Sequence, residues 1–374
     1  MKIGIDARFW NQTGIGRYTR NLIKELQKID KKNEYTLFIK SSDKTSIKKD
    51  VKNKNFKLTV ADINWHSLKE QFVFPKIIYK ENLDLMHFPY FSVPVFYSKP
   101  YIVTIHDLII DHHSTGKAST LPMPIYKFKK LGYKFVIKSI AKKAIAIIVP
   151  SEATRMEVIS HLKVNKDMIY ITHEGSEIVN SSKTFSKESR DRYFLYVGNA
   201  YPHKNLEGLI NAFKNLNNQF KDLKLFMVGK EDYFYKKIKN KINEDGLSKS
   251  VILTGRVTDE KLKELYRGAI ALIMPSFMEG FGLPVIEAIS NKCLVLASNI
   301  PSVKEICKND AIYFDPYDIF DMEEKMIYVY KKKKQDFKNK IENAYKRASK
   351  FSWKKTAIET FKIYESCFSL RQNK

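Results

Sequence analysis

Residues 269–287 read AIALIMPSFMEGFGLPVIE. The first six are an apolar run with β-branched members, closed by Pro275, which is how a buried strand reads. The loop after it holds two glycines, Gly280 and Gly282. A helix is expected from about Leu283, with Pro284 in its first turn, where a missing N–H is no loss. Strand, glycine loop and helix N-terminus make an anion cradle, because glycines let backbone N–H groups approach and the helix dipole favours negative charge. Two carboxylates belong to the stretch: Glu279 in the loop and Glu287 about one turn into the helix. That spacing does not set them side by side on one helix face. They are expected to accept hydrogen bonds from hydroxyls at opposite ends of an elongated ligand. Taken alone, the pair also fits an ordinary strand–loop–helix with an acid near its positive end.

The same alternation extends in both directions, as in parallel sheets flanked by helices. Around the opening stretch, strands are expected at Tyr193–Val197, Lys224–Val228, Val251–Thr254, Ala269–Met274, Cys293–Ala297 and Ala311–Phe314. Leu206, Leu209, Ile210 and Phe213 form one helical stripe, and Thr258 or Asp259 can cap the helix that carries Leu262, Leu265 and Tyr266. Nearer the N-terminus, strands are expected at Lys2–Ala7, Tyr35–Lys40, Phe56–Val60, Leu83–Phe88, Tyr101–His106, Ala144–Val149 and Met168–Ile171. Helices are expected at Arg17–Gln27, His66–Tyr79, Pro122–Lys142 and Glu152–Leu162. The expected fold is α/β: two doubly wound domains facing one another across a cleft, 1–178 and 191–350, joined by a polar, serine-rich linker at 179–190. A helical segment at 351–374 is expected to cross back to the first domain. In such sheets ligands sit beyond the carboxyl ends of the strands.

A chain of 374 residues has room for two domains of about 150 each, and a hydrophobic fraction of 44% excludes wholesale disorder. The three cysteines, Cys293, Cys307 and Cys367, are too scattered for a disulfide framework or a zinc knuckle, which points to a reducing compartment. Asp6 and Arg8 interrupt the apolar N-terminus, so it does not read as a signal peptide. The longest apolar run, Ala144–Val149, is far short of the roughly 20 residues that span a bilayer. The expected location is cytoplasmic, in solution or peripheral on the inner face of the membrane.

Charge is the oddest property: 66 Lys and Arg against 41 Asp and Glu, a formal net charge of +25. Such a field attracts nucleic acid, anionic lipid or phosphate-bearing substrates. The excess is mostly thinly spread lysine without aromatic stacking platforms, so nucleic acid is not an expected partner. Residues 126–143 (YKFKKLGYKFVIKSIAKK) read either as a basic helix for an anionic membrane interface or as a packed helix with a lysine-rich outer face.

Two further places could carry chemistry. Gly14 and Gly16 follow the first strand in a T-G-I-G turn, where backbone could approach a phosphate, with Arg17 next to them either as an added cation or as a surface residue. His106 ends an apolar strand and is followed by Asp107. It is either a satisfied strand-end histidine or a group that meets a ligand hydroxyl.

Ordered blocks along nearly the whole chain then resemble one family. GFGLPVIEA between Glu279 and Glu287 is similar to the E-x7-E segment of retaining GT-B glycosyltransferases of glycosyltransferase family 4. MKIGIDAR with GIGRYTRNLIKEL, HFPYFSVPVF, VTIHDLI, IVPSEATRMEVI, YVGNAYPHKNLEGLINAF, LTGRVTDEKLKELYRGA and FSWKKTA resemble its other blocks in order. The resemblance implies that Glu279 binds the donor sugar's hydroxyls and Glu287 the nucleotide ribose. It implies that the amides of Phe281, Gly282 and Leu283 meet sugar or diphosphate, that Lys204 neutralises the diphosphate, that Gly14 and Gly16 approach the phosphates, and that His106 faces sugar or acceptor. Many members carry an arginine where this chain has Asn199, and His203 and Arg256 are the candidates to replace it. Glu70 and Gln71 match an acceptor-side block and receive no chemistry.

What the resemblance implies overall is a retaining hexosyltransferase working from a nucleoside-diphosphate sugar onto a saccharide or lipid-linked acceptor in cell-surface polysaccharide or glycolipid synthesis. Mannose or rhamnose is the sugar its Y-V-G-N…H-K-N-L variant points to. No Asp-x-Asp run supplies a divalent-ion site, so neither a metal nor another cofactor is expected. The rivals are a GT-B synthase with a soluble acceptor and a non-catalytic protein that binds an anionic surface or nucleic acid.

Overall fold

A computed structural model describes residues 1–109, 123–176 and 192–372; the linker expected at 179–190 lies outside the described residues. The chain divides into two units, the first built from Met1–Leu108, Leu121–Gly175 and Trp353–Lys374 and the second centred on Ser176–Ser352.

The first unit alternates β1 (Lys2–Asp6), α1 (Gly14–Ile29), β2 (Glu34–Ile39), α2 (Lys44–Asp50), β3 (Phe56–Val60), α3 (Leu68–Phe72), α4 (Phe74–Tyr79), β4 (Leu85–Phe88), β5 (Tyr101–Thr104), α5 (Met123–Lys143), β6 (Ala146–Val149), α6 (Glu152–Leu162) and β7 (Ile169–Ile171). Its seven strands are all parallel in the order β3-β2-β1-β4-β5-β6-β7. Strands β4, β5 and β6 are buried along their whole length, the condition for continuous apolar runs such as AIIV at 146–149.

The expected single helix over His66–Tyr79 is two short ones. His66 sits at φ +56, outside any right-handed helix, and Ser67 caps the start of α3 by accepting the Glu70 N–H. Pro75 has no N–H to give back to the preceding turn, so the ladder stops at α3 and restarts at α4.

The second unit runs β8 (Tyr193–Val197), α7 (Leu206–Gln219), β9 (Lys224–Val228), α8 (Tyr233–Glu244), β10 (Val251–Gly255), α9 (Asp259–Gly268), β11 (Ala271–Met274), α10 (Leu283–Ser290), β12 (Val295–Ser298), α11 (Pro301–Cys307), β13 (Ile312–Phe314), α12 (Ile319–Lys331) and α13 (Lys338–Ala348). Its six parallel strands lie in the order β10-β9-β8-β11-β12-β13. Strand alternation divides the core cleanly: Phe194, Leu225, Ile273 and Leu296 pack on one face of the sheet, Leu195, Leu272, Val295 and Ala297 on the other. Each such Leu, Ile, Val or Phe side chain contributes roughly 1.5–3 kcal/mol by leaving water. The chain order reverses between β8 and β11, so the loops that leave these neighbouring strands diverge and open a crevice at their carboxyl ends.

A last helix, α14 (Trp353–Gln372), belongs to the first unit. It packs on α1, with the Trp353 ring edge-on to Tyr18 at 6.2 Å, and its Tyr364 hydroxyl meets His87 Nδ1 at 2.6 Å. Among the described residues no helix is long and apolar enough to cross a membrane.

Candidate functional site

The β8 and β11 loops meet at the reversal point of the second sheet. After β8 the chain makes a single 3-10 turn, Pro202–Lys204, and Asn205 then takes a left-handed conformation at φ 54. Asn205 Nδ2 donates to the Pro316 carbonyl at 2.9 Å, which pins the turn. The Phe277 N–H donates to the His203 carbonyl at 2.8 Å and ties the second loop to the first.

On this frame Lys204 Nζ donates to both carboxylate oxygens of Glu279, at 2.6 and 2.8 Å. Buried Ser276 donates its hydroxyl to Glu279 Oε1 at 2.6 Å. The two charged side chains are 15% and 9% exposed, so removing either charge strands the other in a poorly solvated place. The sequence reading placed Lys204 and Glu279 on different parts of a ligand and left them unconnected. In the structure each neutralises the other.

Gly282 stands at φ +113, a conformation that strains any other residue, and turns the chain into α10. The N-terminus of α10 has neither a side-chain cap nor an acidic residue in its first turn, which leaves its positive end unneutralised by its own segment. The Phe281 side chain is core, edge-on to Phe351 at 5.9 Å, and is not offered to a ligand. Leu283 opens the helix and is half-buried. Glu287 lies in the second turn of α10 and is buried; its Oε2 accepts the hydroxyl of buried Tyr266 from α9 at 3.0 Å. Sequence reasoning assigned Tyr266 to a packing stripe and missed it as the partner of a carboxylate.

Of the two candidates to replace a cation at Asn199, His203 is adjacent to Lys204 and stacks on Tyr201 at 6.0 Å. Arg256 is exposed just past β10, and β9 separates that strand from β8, about 10 Å across two strand spacings. Position favours His203 beside Lys204.

In the first unit, the two glycines of the T-G-I-G turn differ. A Cβ on Gly16 would come within 2.6 Å of the carbonyl oxygens of both Phe9 and Trp10, so this glycine serves the chain's own close approach. Gly14 is exposed with open space around a Cβ position, and of the two it alone leaves room for an outside group. Arg17 follows in the first turn of α1, half-buried.

His106 lies two residues past β5. Its Nδ1 meets Glu174 Oε1 and its Nε2 the Pro89 carbonyl, both at 2.9 Å, with the Tyr18 ring edge-on at 4.8 Å. The Pro89 oxygen only accepts, so Nε2 carries a proton; the carboxylate accepts the other. Burial alone would lower this histidine's pKa. The hydrogen bond and charge of Glu174, helped by the Pro89 carbonyl and Asp107, outweigh it and raise the value above 6.5. Both ring nitrogens of His106 are thus engaged by acceptors within its own unit, which favours its protonated form. Nearby His87 is the opposite case: burial, with the His106 charge second, pushes its pKa down to about 3.

Glu70, left without chemistry by the sequence, belongs to a buried ionic cluster. Arg8 Nη2 reaches Asp6 and Glu70, each at 2.7 Å, and Ser92 donates to Glu70 Oε1 at 2.7 Å. Gln71 Oε1 accepts the Val95 N–H at 2.8 Å. These bonds hold α3 and the 89–97 loop in place.

This unit exposes apolar side chains in two places, one of them beside lysines. On the outer side of α5, Leu131 and Phe135 are 71% and 72% exposed, in line with exposed Lys138 and Lys142. Phe72 and Phe96, 57% and 61% exposed, stack on each other at 5.1 Å. Lys143 Nζ donates to the Val95 carbonyl, so the end of α5 meets the loop that carries Phe96.

Residues 12–177 match the family described as Glycosyltransferase Family 4, and residues 179–347 match Glycosyl transferases group 1. The chain belongs to glycosyltransferase family 4. Its two Rossmann-like parallel sheets are those of the GT-B fold. Sucrose-phosphate synthase from Thermosynechococcus elongatus shares that fold with a TM-score of 0.80 at 17% identity, over 99% of this chain and 100% of that one. Anabaena HepE, solved in complex with UDP-glucose, shares it with a TM-score of 0.77 at 16% identity, over 98% and 100%. In sequence, the O-antigen chain mannosyltransferase RfbU of Salmonella typhimurium is 29% identical over 190 residues, 51% of this chain and 52% of that protein. The chain spans about half the length, or less, of the first curated relatives it matches.

Proposed function

We propose that this chain is a retaining glycosyltransferase that moves a hexose, mannose or rhamnose, from a nucleoside-diphosphate sugar to a hydroxyl of a growing cell-surface saccharide or its lipid-linked precursor. The observation that carries the reading is the grouping of Lys204, Glu279 and the bare N-terminus of α10 at the reversal point of the second sheet. The mannosyltransferase RfbU among the sequence relatives supports the sugar.

In this reading the diphosphate lies against Lys204, with His203 or Arg256 as second cation and the amides of Phe281, Gly282 and Leu283 as neutral donors. Glu279 accepts from sugar hydroxyls and Glu287, steadied by Tyr266, from the ribose. The bond from the anomeric carbon to the diphosphate oxygen breaks as the acceptor oxygen bonds to that carbon on the same face. The acceptor's proton passes to the departing phosphate oxygen. Fixed positive charge where the leaving group gains negative charge lowers the barrier. No carboxylate acts as nucleophile, no metal is required, and His106 enters as a cation held by Glu174, with Gly14 as the open backbone position in its unit. The apolar, lysine-rich face of α3, α5 and the Phe96 loop seats the enzyme on an anionic membrane, where a lipid-linked acceptor is found.

The test is transfer by the purified chain across uridine, guanosine and thymidine diphosphate sugars, with the product's anomeric configuration read by NMR. Retained configuration with one donor is the expected result. Inverted product overturns the mechanism, and no binding of any nucleotide sugar overturns the function.

A further inference from the structure

We propose that the Lys204–Glu279 ion pair is an exchange latch that sets the preference of the second unit for an intact nucleotide sugar over the bare nucleoside diphosphate. The inference rests on the donor-site reading above and adds to it a discrimination between substrate and product.

The argument begins with charge. The ammonium of Lys204 is neutralised by two short contacts to one carboxylate. A diphosphate that enters alone must draw Lys204 away from Glu279. Among the described residues the carboxylate then keeps only the Ser276 hydroxyl, in a place 9% exposed, with a new anion beside it. Both effects oppose binding, because a poorly solvated charge without its partner is strongly disfavoured. An intact donor brings its own replacement: sugar hydroxyls donate to Glu279 as the phosphates take Lys204, so the carboxylate keeps hydrogen-bond donors. After transfer the sugar is gone, the carboxylate is left short of donors, and re-forming the pair helps to expel the nucleoside diphosphate.

Geometry keeps the exchange from being an idle surface contact. Glu279 is anchored by Ser276 on its own loop, Lys204 sits in a turn pinned by Asn205, and the two loops are bonded through Phe277 and His203. The two loops therefore stay in place while the side chains change partners, and the pair can re-form.

The test is calorimetric titration of the full chain with UDP and GDP, alone and with tens of millimolar free mannose or glucose. In the wild type, free hexose should raise nucleoside-diphosphate affinity several-fold, because it occupies Glu279 and releases Lys204; by linkage the diphosphate raises hexose affinity by the same factor. Glu279→Gln should bind the nucleoside diphosphate about tenfold more tightly than wild type, on the order of one charge-assisted hydrogen bond no longer competing, and lose the hexose effect. Lys204→Ala should weaken it. If Lys204→Ala weakens binding while Glu279→Gln gains nothing and hexose has no effect, the latch is wrong and the donor site stands. If Lys204→Ala leaves binding unchanged, the donor-site reading itself fails. Should Glu279→Gln not fold, the hexose effect in the wild type decides alone.

Discussion

The Tyr266 hydroxyl donates to Glu287 Oε2 at 3.0 Å, and both side chains are buried. A buried carboxylate oxygen that loses such a donor costs about 1–3 kcal/mol. Tyr266→Phe keeps the ring in its packing place and removes only the bond. It should lower unfolding stability by about 1–2 kcal/mol in denaturant melts and weaken binding of the nucleotide sugar more than that of inorganic pyrophosphate. Equal weakening of the two ligands would separate Glu287 from the ribose.

Lys204→Ala and Glu279→Gln should each lower turnover by about 100-fold, the scale seen when a fixed group facing developing charge is removed. Far-UV circular dichroism should stay that of the wild type, since neither side chain belongs to the apolar clusters around the sheet. Near-normal transfer by both purified variants rules out the site assignment.

How far the sequence reached is clearest at these residues. The sheets were readable because their strands are short apolar runs buried on both faces, such as ALIM at 271–274, closed by proline and glycine. Glu279 and Glu287 stood out by their place between strand and helix. The partner of Glu279 did not, because Lys204 lies 75 positions away and only the adjacency of β8 and β11 brings it within 2.6 Å. Tyr266 was hidden for another reason: it lies on the packed side of α9, and the polar tip of a core tyrosine leaves no trace in periodicity. Gly14 and Gly16 look alike in sequence, yet only Gly16 is pressed against carbonyl oxygens. His106 was found, but the two acceptors that fix its charge come from Glu174 and Pro89, each on a different loop.

Those acceptors predict a pH dependence of stability. His106 has a folded pKa raised above 6.5, so its stabilisation is complete below 6.5 and is lost as pH rises through the raised value. His87, held near 3 in the folded chain, works the other way. Its contribution is complete above 6.5 and declines as pH falls from 6.5 toward 3. Thermal melts from pH 5 to 9 should show both flanks, and Glu174→Gln should flatten the alkaline one while lowering the His106 titration seen by NMR. A wild-type His106 resonance that titrates below 6.5 contradicts the imidazolium.

Metal independence follows from the cationic groups assigned to the leaving diphosphate. Turnover should survive a chelator with little loss, and added manganese should not raise it severalfold. Activity abolished by EDTA and restored by manganese would show that Lys204 and its neighbours do not suffice.

Membrane attachment is the prediction that the exposed surface makes on its own. Phe72 and Phe96 are more than half exposed and stack on one another, an arrangement that keeps apolar area in water unless something covers it. Lys143 meets the loop that carries Phe96, Lys138 and Lys142 are exposed on the same helix as Lys143, and each lysine near an anionic bilayer contributes about 1 kcal/mol of attraction. The aromatic rings supply the part of the binding that salt does not screen, and the lysines the part that it does. Wild-type protein should therefore co-sediment with vesicles rich in anionic lipid, less so as salt rises, and weakly with neutral vesicles. Phe72→Ser with Phe96→Ser should lose the salt-resistant fraction while leaving the thermal midpoint nearly unchanged, because neither ring is buried in the fold. Equal binding by this double variant would show that the patch has a different purpose and that the lysine excess draws the chain to lipid, whereas equal binding to neutral vesicles would show that the lysines contribute nothing.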